Sequence, residues 1–147
     1  MKISRKWEMP NSRTFQIKCI QSLILRYIKN SYKILDPYAN EASIKKYLNC
    51  EYINNDLDPQ YDTDYHLEAQ EFLKLFDNSS IDLVLNDPPY SPRQLSECYK
   101  SFNRSVTYKD TAFDWYTDYK KELQRIIKPR RICNFLWVEL KWYWNEI

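Results

Sequence analysis

The sequence predicts an α/β domain with a mostly parallel sheet, and three observations lead to this fold class. Short apolar bursts that suit buried strands occur in KILDPY (33–38), CEYINND (50–56) and IDLVLND (81–87). Segments with the apolar spacing of helices precede and separate these bursts. The resulting order alternates helix and strand, which favours strands that run in the same direction and are joined by right-handed crossovers.

The first half of the chain supplies three expected helices and one long loop. Apolar residues recur at helical spacing over residues 17–28, so a first helix is expected there. ASIKKYL (42–48) and LEAQEFLKLF (67–76) are expected to form the second and third helices. LDPQYDTDYH (57–66) is polar and is expected to be a loop.

The second half is expected to complete the sheet. SPRQLSECYKSFNRSVTYKD (91–110) predicts a short helix and a loop over the sheet edge. DWYTDYKKELQRIIKP (114–129) predicts a helix that ends at Pro129, because proline cannot continue a helix. ICNFLWVELKWYW (132–144) is apolar and rich in β-forming residues, so it predicts a last strand.

Composition limits the classes of partner. The chain has 147 residues, which is one domain's length, and its net charge of +2 neither requires nor excludes a nucleic-acid partner. The cysteines and the single histidine lack the usual zinc spacings, so reduced thiols and no metal are expected: Cys19, Cys50, Cys98, Cys133 and His66. No apolar run approaches the roughly 20 residues of a membrane span, so we expect no membrane partner and a cytoplasmic location.

The segment DLVLNDPPY (82–90) ends an apolar run with an acid, two prolines and an aromatic residue. In open α/β sheets ligands bind outside the carboxyl ends of the strands. The two prolines fix the backbone and remove two N–H donors, so the local carbonyls are held as acceptors. With a carboxylate and a flat ring, this corner matches an aromatic base whose exocyclic amine is held while its face is stacked. The candidate catalytic residues are therefore Asp87, Pro88, Pro89 and Tyr90.

The chemistry of an aromatic amine explains why acceptors are needed at this corner. Its nitrogen is a poor nucleophile because the lone pair is delocalised into the ring. Hydrogen bonds from both amine hydrogens, to Asp87 and to the Pro88 carbonyl, would free that pair. Transfer from a nearby methylsulfonium then needs alignment and a complementary charge distribution instead of a strong base. The alternative is an ordinary turn that ends a strand, which is favoured if the two prolines are considered alone.

The motif NDPPY resembles the catalytic motif of amino-methyltransferases, in the Asp form typical of DNA adenine-N6 methyltransferases that use S-adenosylmethionine. TFQIK (14–18), DPYAN (36–40), NDLDPQYDTDYH (55–66) and DPPYSPRQLSECYK (87–100) extend the resemblance to small phage-type enzymes, over roughly residues 5–129. The resemblance implies a Rossmann-like methyltransferase fold, S-adenosylmethionine as the cofactor and methylation of N6 of an adenine in DNA. It also implies that the enzyme works in the cytosol of a bacterium or a phage-infected host.

The resemblance assigns the segment after the first strand to the methionine part of the cofactor. Asp36, Pro37, Tyr38, Ala39 and Asn40 stand where such enzymes carry a DPF-A-G-S-G loop. This chain has 0 glycines, although glycine lets a backbone approach a ligand closely. Ala39 is small, and Asn40 is the residue type that best tolerates a left-handed conformation after glycine. The alternative for Asp36 is a helix cap.

Further candidates for cofactor contacts follow the second strand and flank the core. Asp56 is placed for the ribose hydroxyls, and Asp58 is the alternative because strand ends are uncertain by a few residues. Glu68 stands where the family tends to have an acid that accepts from the cofactor's adenine, or it is an acid favoured by a helix dipole. Thr14 and Phe15 are expected to close over the methionine end.

Basic residues beyond the corner are candidates for contacts with DNA phosphates: Arg93, Lys100, Arg104 and Lys109. The alternative is a solvated charged loop.

We expect the whole chain, 1–147, to be a single domain with three parts. These are an N-terminal arm and helix (1–30), a cofactor and catalytic core (31–129) and an atypical tail (130–147). In the family, Lys-Pro-Gly-Gly, a strand, a glycine-rich loop and two more strands come at this point. Here the chain reads KPRRICNFLWVELKWYWNEI, so truncated C-terminal strands are expected. A changed reading frame from about Arg130 is one hypothesis, and the gene's nucleotide sequence tests it.

Two other functions remain open from the sequence. One is an inactive methyltransferase remnant that binds cofactor or DNA without turnover. The other is methylation of an RNA base or a protein amide through an NPPY-like site, which is disfavoured because Asp87 occupies the position of that motif's Asn.

Overall fold

The computed structural model describes residues 13–89, 91–107 and 113–135. These residues form a four-stranded sheet in which every paired strand is parallel. The strands are β1 (Lys33–Asp36), β2 (Glu51–Asn54), β3 (Ile81–Asn86) and β4 (Ile127–Phe135). The predicted α/β class with a parallel sheet is therefore confirmed, and the arrangement is compatible with a Rossmann-like fold.

Four helices connect or flank the strands of the described residues: α1 (Lys18–Tyr27), α2 (Ala69–Lys74), α3 (Pro92–Ser101) and α4 (Phe113–Ile126). The described residues also form two short 3-10 turns, Thr14–Gln16 and Lys45–Tyr47. None of these helices combines the length and the apolarity that a bilayer crossing requires.

The order of the strands across the sheet is β2-β1-β3-β4. The chain moves outward from β1 to β2 and then returns to the opposite side of β1 to form β3. Strand order therefore reverses between β1 and β3, and a crevice for ligands is expected outside the carboxyl ends of these two strands.

Side chains alternate between the two faces of the sheet. Ile34 pairs with Leu83 and Leu35 pairs with Val84 in the β1–β3 register. Leu35 and Val84 pack with α2 and α4 on one face, and Ile34 and Leu83 pack with α1 on the other. All six residues of β3 are buried, as expected for a central parallel strand covered on both faces. Each fully buried Leu or Ile contributes about 1.5–3 kcal/mol.

The helix predicted over residues 42–48 is reduced to the 3-10 turn Lys45–Tyr47. Asn40 and Ala42 both have φ of 48°, in the left-handed region, which interrupts a right-handed helix. Ile44 is fully buried and packs into the core beside α1. The prediction of a helix here was wrong because tertiary burial of Ile44 overrode the local spacing.

The prediction that Pro129 ends the last helix was also wrong. Helix α4 ends at Ile126, and the next residue already begins β4, so Pro129 lies inside that strand. Proline is tolerated because β4 is at the edge of the described sheet. The register also slips here, since Ile81 faces Ile127 and Leu83 faces Ile132. The rest of the predicted last strand, 136–144, lies outside the described residues.

Two charged side chains hold α4 and β4 against the rest of the domain. Lys128 donates to the buried carboxylate of Asp82 on β3 at 2.8 Å, which gives a buried charge the partner it needs. Arg125 donates to the carbonyls of Phe76 and Leu73 at 2.8 and 3.2 Å, at the C-terminal end of α2. A cation at a helix C-terminus satisfies unpaired carbonyls and complements the helix dipole.

Candidate functional site

A cavity of about 400 Å³ opens at the carboxyl ends of β1, β2 and β3. Each of the three strands contributes the residues that follow its last position. Helix α3 and the start of α2 complete the wall. The predicted site residues that line the cavity are Thr14, Pro37, Tyr38, Asn40, Asp56, Asp58, Glu68, Asp87, Pro88 and Pro89. The fold therefore brings together residues that are up to 75 positions apart in the chain, which local sequence patterns alone do not specify.

Asp87, Pro88 and Pro89 form a segment that we call the acceptor corner, which lies directly between β3 and α3. Asp87, Pro88 and Pro89 are half-buried and line the cavity. Ser91 caps α3, and its side chain accepts a hydrogen bond from the Gln94 N–H at 3.2 Å. A capped helix on one side and a buried strand on the other fix both ends of the corner. Tyr90, the predicted stacking residue, lies outside the described residues.

A buried hydrogen bond fixes the residue that immediately precedes the acceptor corner. The Tyr119 hydroxyl on α4 donates to the side-chain oxygen of Asn86, the last residue of β3. Both side chains are buried, and the Asn86 amide nitrogen has no hydrogen-bond partner among the described residues. The Tyr38 ring lies 6.1 Å from the Tyr119 ring, so α4 contacts the loop after β1 as well. Sequence reasoning missed Tyr119, since its position on the apolar side of a helix predicts only packing.

Asp36 is buried beneath the cavity and does not line it. It accepts hydrogen bonds from the Tyr52 hydroxyl at 2.7 Å and from the Tyr38 N–H at 3.4 Å. Burial, with smaller contributions from the charges of Asp87 and Asp56, raises the pKa of Asp36 to about 7, although these two hydrogen bonds oppose the increase. The structure therefore gives Asp36 a supporting position under the loop after β1.

Within the rest of the DPYAN segment, Asn40 adopts the left-handed conformation that the sequence analysis described as tolerable for asparagine. Asn40 has φ of 48°, and its N–H donates to the Asp56 carboxylate at 2.8 Å. Pro37, Tyr38 and Asn40 line the cavity, whereas Ala39 is buried and borders a small recess beside it. An asparagine thus supplies the turn for which glycine is the default residue.

Asp56 joins the loops after β1 and β2. Its second carboxylate oxygen accepts from the Asp58 N–H at 2.9 Å. Burial raises the pKa of Asp56, although the two backbone hydrogen bonds oppose this, and the charge of Asp58 adds to the increase. Each oxygen of Asp56 keeps a second lone pair for a ligand. Asp58 also lines the cavity, so both residues predicted for the ribose position are part of the site.

Asn55 is a structural residue of the site that sequence reasoning missed. Its side-chain amide donates to the carbonyls of Pro37 and Leu67, both at 3.0 Å, and its oxygen accepts from the Leu67 N–H at 2.9 Å. These bonds hold together the loop after β1, the end of β2 and the segment before α2. Nothing in the sequence distinguishes Asn55 from its neighbour Asn54.

Glu68 and Arg104 form an ion pair at the edge of the cavity. The guanidinium of Arg104 also lies 4.5 Å from the centre of the Tyr99 ring. Arg104, one of the residues predicted to contact DNA, is half-buried in this ion pair. Arg93 pairs with Glu97 at 2.9 Å in an exposed position on α3, and Lys100 is exposed on the same helix. Lys109 lies outside the described residues.

The remaining predicted residues have clear positions. Thr14 lines the cavity, whereas Phe15 is buried in the core beside α1 and borders the small recess. His66 is exposed, and its Nδ1 lies 3.1 Å from the Asp56 carbonyl oxygen. Cys98 on α3 also lines the cavity, and partial burial raises the pKa of its thiol. No group of three His, Cys, Asp or Glu side chains within the described ranges is arranged to hold a metal ion.

No family model, no curated protein and no solved structure matches this chain. A functional interpretation therefore depends on the residues and the geometry of the cavity.

Proposed function

We propose that this chain is a Rossmann-like methyltransferase that uses S-adenosylmethionine to methylate N6 of a flipped-out adenine in DNA. One observation carries the proposal: the acceptor corner after β3 lines the same cavity as the loops after β1 and β2. A donor bound by those loops and an amine held by the corner would share one space of about 400 Å³. This arrangement agrees with the position at which open parallel sheets bind ligands.

The residues present fit the proposed cofactor in size and in chemistry. The cavity is within the range of about 300–1,000 Å³ that is usual for small-molecule sites. The free lone pairs of Asp56 suit ribose hydroxyls, and the side chains of Leu57 and Leu67 offer apolar surface to an adenine ring. The Thr14 hydroxyl is available to the polar methionine end. When bound, the cofactor supplies an electrophilic methyl group on a positively charged sulfur.

The corner provides what the acceptor amine needs. The Asp87 carboxylate and the Pro88 carbonyl accept hydrogen bonds from the two N–H groups of the amine, and these bonds reduce delocalisation of the nitrogen lone pair into the ring. The Asp87 charge also stabilises the positive charge that develops on the nitrogen during transfer. Because Pro88 and Pro89 fix the backbone, these oxygens are positioned before the base arrives and little reorganisation is needed.

Two kinds of contact with DNA belong to this proposal, which are contacts with phosphates and stacking on the flipped base. Arg93 and Lys100 are exposed on α3, the helix that starts next to the corner, and both are proposed to contact phosphates, Arg93 by exchanging its exposed pair with Glu97. Tyr90 is proposed to stack the flipped base. Extrusion of the base costs a few kcal/mol, which contacts of this kind must offset.

Replacement of Asp87 by alanine tests the proposal. We expect methyl transfer from labelled S-adenosylmethionine to adenine-containing duplex DNA to fall by at least about 100-fold, since a preorganised charge at the reacting atom is lost. The cofactor affinity, measured by calorimetry, should stay nearly unchanged. The control is Asp77→Ala, which removes an exposed acid from the turn before β3 and should retain full activity.

Three outcomes distinguish the alternatives. Transfer retained in Asp87→Ala would refute the assigned role. Cofactor binding without transfer in the parent chain would identify an inactive remnant. Parallel incubations with DNA, RNA and protein show which class of acceptor is methylated, and incorporation into RNA or protein in place of DNA would overturn the choice of substrate.

A further inference from the structure

Asn55, the residue that follows β2, forms side-chain hydrogen bonds with two other segments of the cavity wall. Its amide donates to the Pro37 carbonyl in the loop after β1 and to the Leu67 carbonyl before α2, both at 3.0 Å. Its side-chain oxygen accepts from the Leu67 N–H at 2.9 Å. Both amide N–H groups and the oxygen therefore have partners. The side chain is buried, so the loss of these bonds would leave the two carbonyls without water to replace the donors.

The backbone of Asn55 adds two bonds with the loop after β1. Its N–H donates to the Asp36 carbonyl at 2.9 Å, and its carbonyl accepts from the Ala39 N–H at 3.0 Å. The Asn40 N–H also connects this loop to the chain after β2, through the Asp56 carboxylate at 2.8 Å. That carboxylate is proposed to contact the ribose as well. The bonds of Asn55 use groups that the proposed ligand does not need.

The segments that Asn55 connects correspond to different parts of the proposed cofactor. The loop after β1, which brings Pro37 and Tyr38 to the cavity, is expected to contact the methionine part, and we call it the methionine side. Asp56 and Leu67 are proposed to contact the ribose and the adenine, and we call them the adenosine side. A ligand that contacts both sides gains affinity from the second contact only when their separation matches its own length.

The neighbouring Asn54 offers a comparison, since it has the same side chain and is also buried. Its side-chain oxygen accepts from the Asp64 N–H at 2.8 Å. Its amide nitrogen has no hydrogen-bond partner among the described residues. Neither Asn54 nor Asp64 lines the cavity. Of the two asparagines, Asn55 is therefore the one whose side chain connects parts of the cavity wall.

We propose that Asn55 is a positioning residue that holds the methionine side and the adenosine side at the separation that the intact cofactor requires. The inference rests on the proposed function and assigns a further residue to the same site. Asn55 acts through Pro37 and Leu67 and not through the reacting atoms. Without its side chain, each side still binds its own part of the ligand, but the intact ligand must first bring the two sides into place.

Calorimetry with adenosine and S-adenosylmethionine tests this role without any need for turnover. Adenosine contacts the adenosine side alone, whereas S-adenosylmethionine spans both sides. In Asn55→Ala the affinity for S-adenosylmethionine should fall at least about tenfold and the affinity for adenosine less than about threefold. The ratio of the two affinities is the measured quantity, because a smaller folded fraction would lower both affinities by the same factor.

Asn54→Ala is the matched control, because it removes the same buried amide from the neighbouring position. It should leave the ratio of the two affinities unchanged, and an equal fall of the ratio in this variant would overturn the assignment to Asn55. Asn55→Ser is a milder variant for the case that Asn55→Ala does not fold. Its hydroxyl supplies one donor in place of two, so the ratio should fall here as well. Circular dichroism establishes that each variant is folded before binding is measured.

The binding data also separate this inference from the function on which it depends. If S-adenosylmethionine does not bind to the parent chain, the proposed function fails and the inference fails with it. If it binds to the parent chain and the Asn55 variants lower both affinities by the same factor, cofactor binding stands and the positioning role is refuted.

Discussion

Replacement of the buried Asp36 by asparagine should make the stability of this protein much less dependent on pH. Burial raises the pKa of this carboxyl from 3.8 to about 7. The folded state therefore holds the proton more tightly than the unfolded chain. Protonation of Asp36 stabilises the fold fully below pH 3.8, and this stabilisation is lost as the pH rises through about 7.

The size of the effect follows from the two pKa values. Each unit of pKa difference corresponds to about 1.4 kcal/mol, so the protein is less stable at high pH than at low pH by about 4 kcal/mol. About 3 kcal/mol of this loss occurs between pH 5 and pH 8. Asparagine resembles the neutral carboxyl. Its oxygen can accept from the Tyr38 N–H, and its amide can donate to the Tyr52 hydroxyl oxygen, so the local hydrogen bonds are kept.

Urea unfolding followed by circular dichroism measures this difference in free energy. At pH 5 Asp36→Asn should be more stable than the parent by about 1.5 kcal/mol, and at pH 8 this gap should widen to about 4 kcal/mol. Asp62→Asn makes the same chemical change on an exposed loop and should follow the parent at both pH values. An equal gap between parent and Asp36→Asn at pH 5 and at pH 8 would refute the reasoning.

Three other measurements test separate parts of the structure. Ala42→Gly should stabilise the fold by about 0.5–1 kcal/mol in urea unfolding, because φ of 48° is unfavourable for alanine. The control Ala69→Gly, in helix α2, should destabilise the fold. A loss of stability in Ala42→Gly would contradict the left-handed turn. Tyr119→Phe should lower the free energy of unfolding by about 1–3 kcal/mol, since the buried Asn86 oxygen loses the donor in this hydrogen bond. The control Tyr47→Phe, at an exposed position, should change the free energy of unfolding by less than about 0.5 kcal/mol. Similar effects of the two changes would argue against the buried bond. Alkylation of Cys98, followed by mass spectrometry, should slow when S-adenosylmethionine is present, while Cys19, which does not line the cavity, should react at its original rate.

The sequence predicted the sheet well because its strands are short apolar runs in a fixed order. Predicted strands at 33–38, 50–56 and 81–87 contain β1, β2 and β3. Helix α1 also lies within its predicted range. The apolar residues of these elements pack into the core, so their hydrophobic period is visible without knowledge of any neighbour.

The candidate site was predicted from the polar residues that end those strands. The sequence analysis placed Asp56 after the second strand and Asp87 after the third, and the carboxyl ends of parallel strands lie at one edge of a sheet. The structure brings both to one cavity. The left-handed turn at Asn40 was also anticipated, because few residue types other than glycine tolerate it.

The chain's own sequence thus determined the order of its elements, the position of the acceptor corner and the acids that follow the strands, because each of these has a local signature. Only the tertiary structure decided that Asp36 is buried beneath the cavity, that Arg104 pairs with Glu68 and that Tyr119 supports Asn86. It also decided that Pro129 lies in an edge strand. These features depend on contacts between residues far apart in the chain, and the burial and charge that such contacts create leave no periodic pattern in the sequence.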